Sequence, residues 1–502
     1  MNAKGGRHAA LACDDETFRA LGHRLIDQIA DGLARIPGGP VTRHESASDV
    51  RAALDLERGL PEHGTAPGPL LEETAARLFG HSLFNAHPRF FGYITAPSAP
   101  IGILGELLAA AVNPNVGAWA LSPAATEIEA QTVRWIAEFI GYPIDCGGLL
   151  VSGGNMANFV GFLAGRAAKA PWDVRTAGVR AEPRTLRVYA SVESHTWIQK
   201  ATDIAGLGTN AIRWIPTDDR QRMDVAALRQ QLAADTAAGD VPCVVVGNAG
   251  SVSTGAVDPL REISDLCLEY NVWFHVDGAY GGCAATVPGA PEALRGLTAA
   301  DSVAVDPHKW LYAPLEAGCA LVRHREKLHA AFAYHPPYYH FDEQLINYVD
   351  YGPQNSRGFR ALKVWLALRQ AGAAGYREMI ADDIALSRAM AQAISRHEEL
   401  ELATQELSIV TFRYVPREWR SKTGLPDVER HLDELNRQLV ERLQRGGDTF
   451  VSNAVVAGRY LLRACIVNFH TGLADVEALV EIVAREGRLT ERELQGVAQE
   501  RS

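Results

Sequence analysis

The chain has 502 residues, of which 47% are hydrophobic and 22% are charged, a balance that predicts a globular protein with a large core and more than one domain. Its 49 basic and 60 acidic side chains give a formal net charge of −11. This charge argues against nucleic acid or an anionic membrane as a partner, because both bind positive surfaces. No stretch has the apolar length of a signal-peptide core or a bilayer span, so we expect a cytoplasmic protein.

The first predicted element is an amphipathic helix. Apolar residues recur at helical spacing between residues 17 and 36, and Pro37-Gly38-Gly39-Pro40 ends the pattern. A polar, proline-containing stretch follows over residues 41–69. A helix on such an arm cannot bury its apolar stripe alone, so we expect it to pack on a neighbouring subunit or across the domain surface.

A repeating strand–helix pattern fills the chain from about residue 103 to residue 375. Short apolar runs alternate with alanine-rich helical segments, and the runs lie at 149–151, 187–190, 243–246, 272–276, 302–305 and 319–322. Continuous apolar strands separated by helices predict an α/β domain with a mostly parallel sheet covered on both faces. We expect residues 91–385 to form this large domain.

The last part of the chain predicts a smaller α+β domain. The pattern indicates helices at 380–396, at 427–444 and after 474, and strands at 407–414 and 459–468. We therefore assign residues 386–502 to a C-terminal α+β domain and residues 1–90 to an N-terminal helical segment. The seven cysteines are scattered without a C-x-x-C pair, which predicts reduced thiols and no metal site.

The strongest local motif is Asp-Pro-His-Lys-Trp at residues 306–310, directly after a predicted buried strand. Burying an amine favours its neutral, nucleophilic form, which is the form that condenses with an aldehyde. Lys309 is therefore a candidate Schiff-base lysine. Taken alone, the motif would more often hold a lysine that reaches the surface.

A carboxylate ends another apolar strand, 32 residues before Lys309, in the motif His-Val-Asp-Gly-Ala-Tyr at residues 275–280. The ring of pyridoxal 5′-phosphate (PLP) accepts electrons well only while its nitrogen is protonated, and a buried carboxylate beside that nitrogen favours the protonated form. Asp277 suits this role. The alternatives are a turn-capping aspartate or a metal site with His275, and the metal site lacks a third ligand at suitable spacing.

Two further motifs follow predicted strands. Residues 152–158 (Ser-Gly-Gly-Asn-Met-Ala-Asn) form a glycine-rich turn before a helix, where backbone N–H groups and the helix dipole would hold a phosphate near Gly154 and Asn155. His195 follows the strand at 187–190, at the sheet edge where α/β folds bind ligands, and its ring could stack on a cofactor. A ligand-free turn and a surface histidine are the alternatives.

Together and in this order, the four motifs resemble those of the group II PLP-dependent amino-acid decarboxylases, the family of the aromatic-L-amino-acid, histidine and glutamate decarboxylases. The resemblance extends to residues 87–93 (His-Pro-Arg-Phe-Phe-Gly-Tyr) and 122–127 (Ser-Pro-Ala-Ala-Thr-Glu). It implies PLP as cofactor, the fold-type I architecture of aspartate aminotransferase, and a homodimer with active sites at the subunit interface. Residues 1–90 would then pack on the dimer partner.

The resemblance also implies roles for individual residues. Lys309 would form the Schiff base, Asp277 would pair with the pyridine nitrogen, Ala279 would pack on one face of the ring and His195 would stack on the other. The residues that resemble the family's phosphate binders are His308, Gly154 and Asn155. Arg357 resembles a basic residue near the site whose role stays open.

A tyrosine after the Schiff-base lysine is implied as the proton donor to the substrate carbon. In residues 333–340 (Ala-Tyr-His-Pro-Pro-Tyr-Tyr-His), Tyr338 gives the best alignment, with Tyr334 and Tyr339 as alternatives. A phenol at this position favours a decarboxylase over an aldehyde synthase, in which the family typically has phenylalanine. Asp306 differs from the asparagine common in aromatic decarboxylases, and it would face the phosphate unfavourably unless it turns away or pairs with a donor.

The predicted function is decarboxylation of an L-amino acid, preferably aromatic, with a substrate pocket formed by Tyr93, Ile94 and Trp119. Residues 115–118 (Asn-Val-Gly-Ala) lack the bulky apolar side chain often found there in aromatic decarboxylases. The alternatives are therefore decarboxylation of 2,4-diaminobutyrate or glutamate, and an aldehyde-forming oxidative deaminase or aminotransferase on the same fold. A non-enzymatic relative is disfavoured, because it would not need Lys309, Asp277 and His195 together.

Overall fold

Two β-sheets organise the chain in the computed structural model, which describes residues 9–337, 342 and 344–500. The strands are β1 (Phe90–Phe91), β2 (Gly147–Val151), β3 (Leu186–Ser191), β4 (Ile212–Ile215), β5 (Val241–Asn248), β6 (Trp273–Asp277), β7 (Ser302–Val305), β8 (Gly318–Val322), β9 (Leu400–Glu406), β10 (Ile409–Tyr414), β11 (Phe450–Val456) and β12 (Arg459–Cys465).

The α-helices are α1 (Asp15–Arg35), α2 (Ala47–Ala53), α3 (Pro67–His81), α4 (Pro100–Val112), α5 (Pro123–Ile140), α6 (Gly154–Lys169), α7 (Val174–Ala177), α8 (Trp197–Ile204), α9 (Val225–Ala237), α10 (Leu260–Glu269), α11 (Arg325–Phe332), α12 (Ala361–Arg396), α13 (Pro426–Gly446) and α14 (Leu473–Glu500). Among the described residues, no helix is long and apolar enough to cross a membrane. All seven cysteines are free thiols and five of them are buried.

The larger sheet has seven strands in the order β2-β8-β7-β6-β5-β3-β4. β4, β3, β5, β6 and β7 pair in parallel, whereas β8 is antiparallel to both of its neighbours, β7 and β2. The strands at the centre of this sheet are buried almost throughout, as their apolar sequences require when helices cover both faces. The predicted α/β class with a mostly parallel sheet is confirmed.

β4 is the strand of this sheet that the sequence pattern missed. It has four residues and lies at the edge of the sheet, where Arg213 reaches Asp235 and Trp214 is exposed. A short strand at the edge of a sheet is less buried than a central strand, so its sequence need not be a continuous apolar run. Such runs were the pattern that predicted the other six strands of this sheet.

The smaller sheet has five strands in the order β1-β11-β12-β10-β9, built around two antiparallel hairpins. The sequence predicted β10 and β12, but not β9 and β11, which carry several polar residues. Leu407 was expected inside a strand. It lies instead in the turn between β9 and β10, with a positive φ of 50°.

α12 begins earlier than predicted and continues through a break at Gly372, where φ is 64°. Glycine adopts this left-handed conformation without the steric penalty that a Cβ would bring. The predicted boundary between the large and the C-terminal domain, after residue 385, falls inside this helix. The three domain ranges stay a prediction.

A buried ion pair joins Arg357 to Glu129 on α5, and both side chains are almost completely buried. The Arg357 guanidinium also donates to the carbonyl oxygens of Val116 and Leu150, at 2.8 and 2.6 Å. Glu129 accepts from the Leu150 N–H at 2.8 Å. The pair therefore fixes the end of β2, two residues before the glycine-rich turn, and gives Arg357 a role in the framework.

We predict that Arg357→Met destabilises the fold by about 3–5 kcal/mol, because it leaves the Glu129 carboxylate buried without its counter-charge. Urea unfolding followed by circular dichroism measures this loss. Arg229→Met is the matched control: its pair with Glu269 is 2.6 Å long but exposed, so the loss should stay below about 1 kcal/mol. Equal losses in the two variants would contradict the prediction.

Candidate active site

A cavity of about 330 Å³ lies at the carboxyl edge of the larger sheet, where parallel strands of an open α/β fold present their loops to ligands. Its wall is formed by Ile94, Ser152, Gly153, Gly154, Asn155, Asn158, His195, Asn248, Gly250, Ser251, Val252, Asp277, Ala279, Tyr280, Asp306, His308, Lys309 and Leu315. Three larger clefts, of about 790, 780 and 570 Å³, lie on other parts of the surface and contain none of these residues. The chemistry of its lining, rather than its size, marks the smaller cavity as the candidate site.

The glycine-rich turn forms one wall. Gly153 has a φ of +115° and immediately precedes α6, whose N-terminus is not capped by a side chain. The first N–H groups of a helix have no acceptor within the helix, so this end suits an anion. A Cβ at Gly154 would lie 2.5 Å from Asp306 Oδ2, so the close approach requires glycine.

Lys309 lies on the same cavity, with its ammonium nitrogen 2.9 Å from Asp306 Oδ2. Asp306 is only 2% exposed, and its Oδ1 has no hydrogen-bond partner among the described residues. His308 Nε2 is 3.7 Å from the same carboxylate. Asp306 thus pairs with the amine of Lys309. Pairing with a donor is one of the two arrangements, given above, that would reduce repulsion between this carboxylate and a bound phosphate.

Asp277 at the end of β6 is fixed by two donors. Its Oδ2 accepts from Trp197 Nε1 at 2.7 Å and its Oδ1 accepts from the Ala279 N–H at 3.2 Å. Trp197 is buried at the start of α8. This role of Trp197 is not predictable from the sequence, because nothing in its local pattern shows that its indole reaches a residue 80 positions away.

His275 on β6 supports the site through contacts with Ser302 and with Asn158, which lines the cavity. Its Nδ1 lies 2.7 Å from Ser302 Oγ and its Nε2 lies 2.7 Å from Asn158 Oδ1. Complete burial lowers the pKa of His275 to about 4, so the ring is neutral near pH 7. Since both ring nitrogens are engaged, the alternative of a metal site with Asp277 has no support.

His195 is exposed at the cavity wall. Desolvation lowers the pKa of His195, while the charge of Asp277 opposes this shift. The Trp197 N–H donates to His195 Nδ1 at 3.2 Å, so in the neutral ring the proton is on Nε2. The ring therefore has a defined tautomer at the site.

A polar network behind the cavity is a second feature that the sequence did not predict. The Asn248 side-chain amide donates to Ser191, Ser194 and Asp258, at 3.1, 3.2 and 3.0 Å. Burial raises the pKa of Asp258 to about 6. The network ties the end of β3 to the end of β5 and holds the turn that carries His195.

Of the three residues predicted for the substrate pocket, Ile94 lines this cavity. Tyr93 is 56% exposed and Trp119 donates through its indole to Glu127 at 2.8 Å, and the pocket that the three would form stays a prediction. Tyr93 has a positive φ of 52°, and its carbonyl accepts from the buried Arg463 at 3.2 Å.

Arg463 was not singled out from the sequence. It holds the backbone next to Ile94, so it positions one wall of the cavity. Tyr338, the predicted proton donor, lies outside the described residues.

The donor set of the cavity fits pyridoxal phosphate. An amine that can bond to the aldehyde, a carboxylate for the ring nitrogen and an uncapped helix N-terminus for the phosphate all line one space. A mostly parallel α/β sheet with this set at its carboxyl edge defines the class of fold-type I PLP enzymes.

Comparisons with known proteins narrow this class. Residues 55–415 match the model of the pyridoxal-dependent decarboxylase conserved domain. The aromatic-L-amino-acid decarboxylase of Bacillus atrophaeus is 32% identical over 96% of this chain and 97% of its own length. The phenylacetaldehyde synthase of Petunia hybrida is also 32% identical, over 90% of each chain.

The fold agrees with this relationship. The crystal structure of Oryza sativa TDC with PLP and tryptamine superposes with a TM-score of 0.87 and 27% identity, covering 96% of this chain and 99% of the other. The chain belongs to the pyridoxal-dependent decarboxylase family. It is a PLP-dependent carboxy-lyase, and the resemblance to the group II decarboxylases is confirmed.

We predict that Trp197→Phe weakens PLP binding about 10- to 100-fold, because a hydrogen bond to a charged group contributes about 1.5–3 kcal/mol. Absorbance of the bound cofactor after dialysis against decreasing PLP concentrations measures the affinity. Trp365→Phe removes an indole donor of the same kind, to Gln131 at 2.7 Å, and should leave affinity unchanged. Unchanged PLP binding in Trp197→Phe would contradict the role given to this hydrogen bond.

Proposed function

We propose that the protein removes the α-carboxylate of an aromatic L-amino acid, releasing the amine and carbon dioxide, with Lys309 as the residue that bonds to PLP. The observation that carries this proposal is the arrangement of Lys309, Asp277 and the α6 N-terminus around one cavity. The decarboxylase of Bacillus atrophaeus, similar over nearly the whole chain, supports the reaction and the aromatic class of substrate.

The bound cofactor supplies an aldehyde that condenses with amines and a protonated ring that takes up the electron pair left when carbon dioxide departs. Asp277, held by Trp197, would keep the ring nitrogen protonated, while Ala279 and His195 would bound the two faces of the ring. His308, Gly154 and Asn155 would hold the phosphate. Asp306 would receive the Lys309 amine whenever substrate displaces it.

Proton delivery to the substrate carbon is assigned to Tyr338, with His195 close to the reacting carbon. His195 suits this position because desolvation lowers its pKa and so favours the neutral ring, with the proton on Nε2. A neutral imidazole can donate a hydrogen bond from Nε2–H near the reacting carbon without placing a second positive charge beside Lys309, while the transferred proton itself would come from Tyr338.

The aldehyde-forming reaction is the second candidate, and the observation that favours it is the similarity to the Petunia phenylacetaldehyde synthase. Both reactions begin with loss of carbon dioxide, so they differ in the second product. Tyr338 favours amine, because a phenol can protonate the carbon that otherwise reacts with oxygen.

The test is product analysis with PLP and a panel of L-amino acids: tyrosine, phenylalanine, tryptophan, dopa, glutamate and 2,4-diaminobutyrate. We expect one mole of amine for each mole of carbon dioxide from at least one aromatic acid. Lys309→Ala should lower the rate at least about a thousandfold, as loss of a covalent catalytic group does. Lys422→Ala, on an exposed part of the small domain, is the control and should keep full activity.

A second variant separates the two reactions. Tyr338→Phe should convert part of the product from amine to aldehyde with uptake of oxygen. If the unaltered protein forms mainly aldehyde, the proposed amine-forming decarboxylation is wrong and the aldehyde-forming oxidative reaction takes its place. Amine from glutamate or 2,4-diaminobutyrate alone would overturn the aromatic substrate and leave the reaction intact.

We also propose that the protein acts as a homodimer whose interface includes α4. The glycines of α4 face inward, where a Cβ at Gly102 would lie 2.6 Å from Pro314 Cδ. Its opposite side exposes Leu104, Leu107, Leu108 and Val112, and such a row of apolar side chains is typical of a protein interface.

The exposed face of α4 adjoins the active site. Leu315 lines the active-site cavity and also a neighbouring cleft that contains Glu106 and Ala109 of α4. A second subunit packed on α4 would therefore lie beside the mouth of the cavity.

Leu108→Asp should weaken the dimer by about a hundredfold or more, because each copy would bury an unpaired charge in the interface. Sedimentation velocity over a range of protein concentrations measures the association. Leu268→Asp changes a leucine on α10 that is 77% exposed, against 52% for Leu108, and should leave the dimer intact. A monomeric unaltered protein, or equal effects of the two substitutions, would refute the interface.

A further inference from the structure

A cluster of three metal-binding side chains lies outside the candidate active site. It consists of His329 in the last turn of α11, His335 shortly after that helix, and Asp350 in the 3₁₀ turn Tyr348–Asp350. One ligand atom from each residue lies within 4.8 Å of the other two. None of the three lines the active-site cavity.

The contacts within the cluster bring the donors toward a common point. His335 Nε2 lies 3.1 Å from Asp350 Oδ1, and the rings of His329 and His335 have centroids 5.5 Å apart. Ligand atoms about 2.0–2.2 Å from a tetrahedral zinc ion are roughly 3.3–3.6 Å from each other. The separations, 3.1 Å for His335 and Asp350 and at most 4.8 Å within the whole group, are thus close to those of a metal site.

The electrostatics of Asp350 also favour a cation. This aspartate is only 6% exposed, and a buried carboxylate is unfavourable unless a positive charge or several donors compensate it. The two imidazoles approach from the more exposed side, where a cleft of about 570 Å³ that includes His335 opens to solvent. An ion can therefore reach the cluster without a rearrangement of the core.

Other histidine–carboxylate pairs in the structure differ from this cluster. His81 and Glu45 are 2.7 Å apart and His431 and Glu491 are 3.0 Å apart, yet neither pair belongs to a group of three converging ligands among the residues that the structure describes. A simple ion pair needs one histidine, whereas His329 adds a second neutral nitrogen donor that is useful to a metal.

We propose that His329, His335 and Asp350 bind one divalent transition-metal ion per chain, and that their two imidazoles and one carboxylate suit Zn²⁺. Three protein ligands leave a coordination position for water. The ligands flank the segment that carries Tyr338 in the sequence, so the ion would connect the end of α11 to residue 350. The proposal is independent of the decarboxylation chemistry.

The test is zinc binding by the PLP-loaded protein after removal of metals with a chelator. Isothermal titration with zinc chloride, together with elemental analysis after dialysis, should give one ion per chain. His329→Gln and His335→Gln should each weaken binding at least about a hundredfold, since even outer ligand contacts contribute 10- to 100-fold. His81→Gln is the matched control and should bind zinc like the unaltered protein.

Cobalt(II) provides a second, spectroscopic readout, which reports the identity of the ligands rather than a binding constant. Its visible ligand-field absorption reports the donor set, so Co²⁺ added to the unaltered protein should give bands that both histidine variants lose. Absence of stoichiometric zinc in the unaltered protein would overturn the proposal. Equal zinc affinity in His329→Gln, His335→Gln and His81→Gln would overturn it as well.

Discussion

The parallel direction of β3, β5, β6 and β7 is the constraint on which the site depends. Because these strands point the same way, the residues that follow them meet at one edge of the sheet. His195, Asn248, Asp277 and Asp306 are far apart in the sequence but occupy neighbouring strand ends. The buried pair of Arg357 and Glu129 holds β2 in place at the same edge, so the glycine-rich turn joins the set.

Each ionisable group at this edge has a defined partner or environment. Asp306 pairs with the Lys309 ammonium, Asp277 accepts a hydrogen bond from the neutral indole of Trp197, and burial keeps His275 neutral. An ionised group that loses its partner in such a setting costs several kcal/mol. The polar groups around the cavity are therefore held in defined positions before any ligand arrives, and that preorganisation is what an electrostatic catalyst requires.

Much of this arrangement follows from the sequence. Lys309, Asp277, His195 and Gly154 were found because each follows a continuous apolar strand, and strand ends are readable from local pattern. Trp197, Arg463 and Asn248 were missed because their roles depend on contacts with residues far away in the chain. Tyr93 and Trp119 were placed in a pocket from their aromatic character alone, yet within one chain only Ile94 lines the cavity. β4 escaped detection because a short edge strand need not be apolar.

Trp197 makes two different contacts with the site, and they have a joint consequence. Its indole holds the carboxylate of Asp277 and its backbone N–H fixes Nδ1 of His195. A displacement of the first turn of α8 would therefore disturb both groups at once. With the roles proposed for Asp277 and His195, cofactor retention and proton transfer would both depend on this one residue, so altered variants of the enzyme should seldom gain in one property without changing the other.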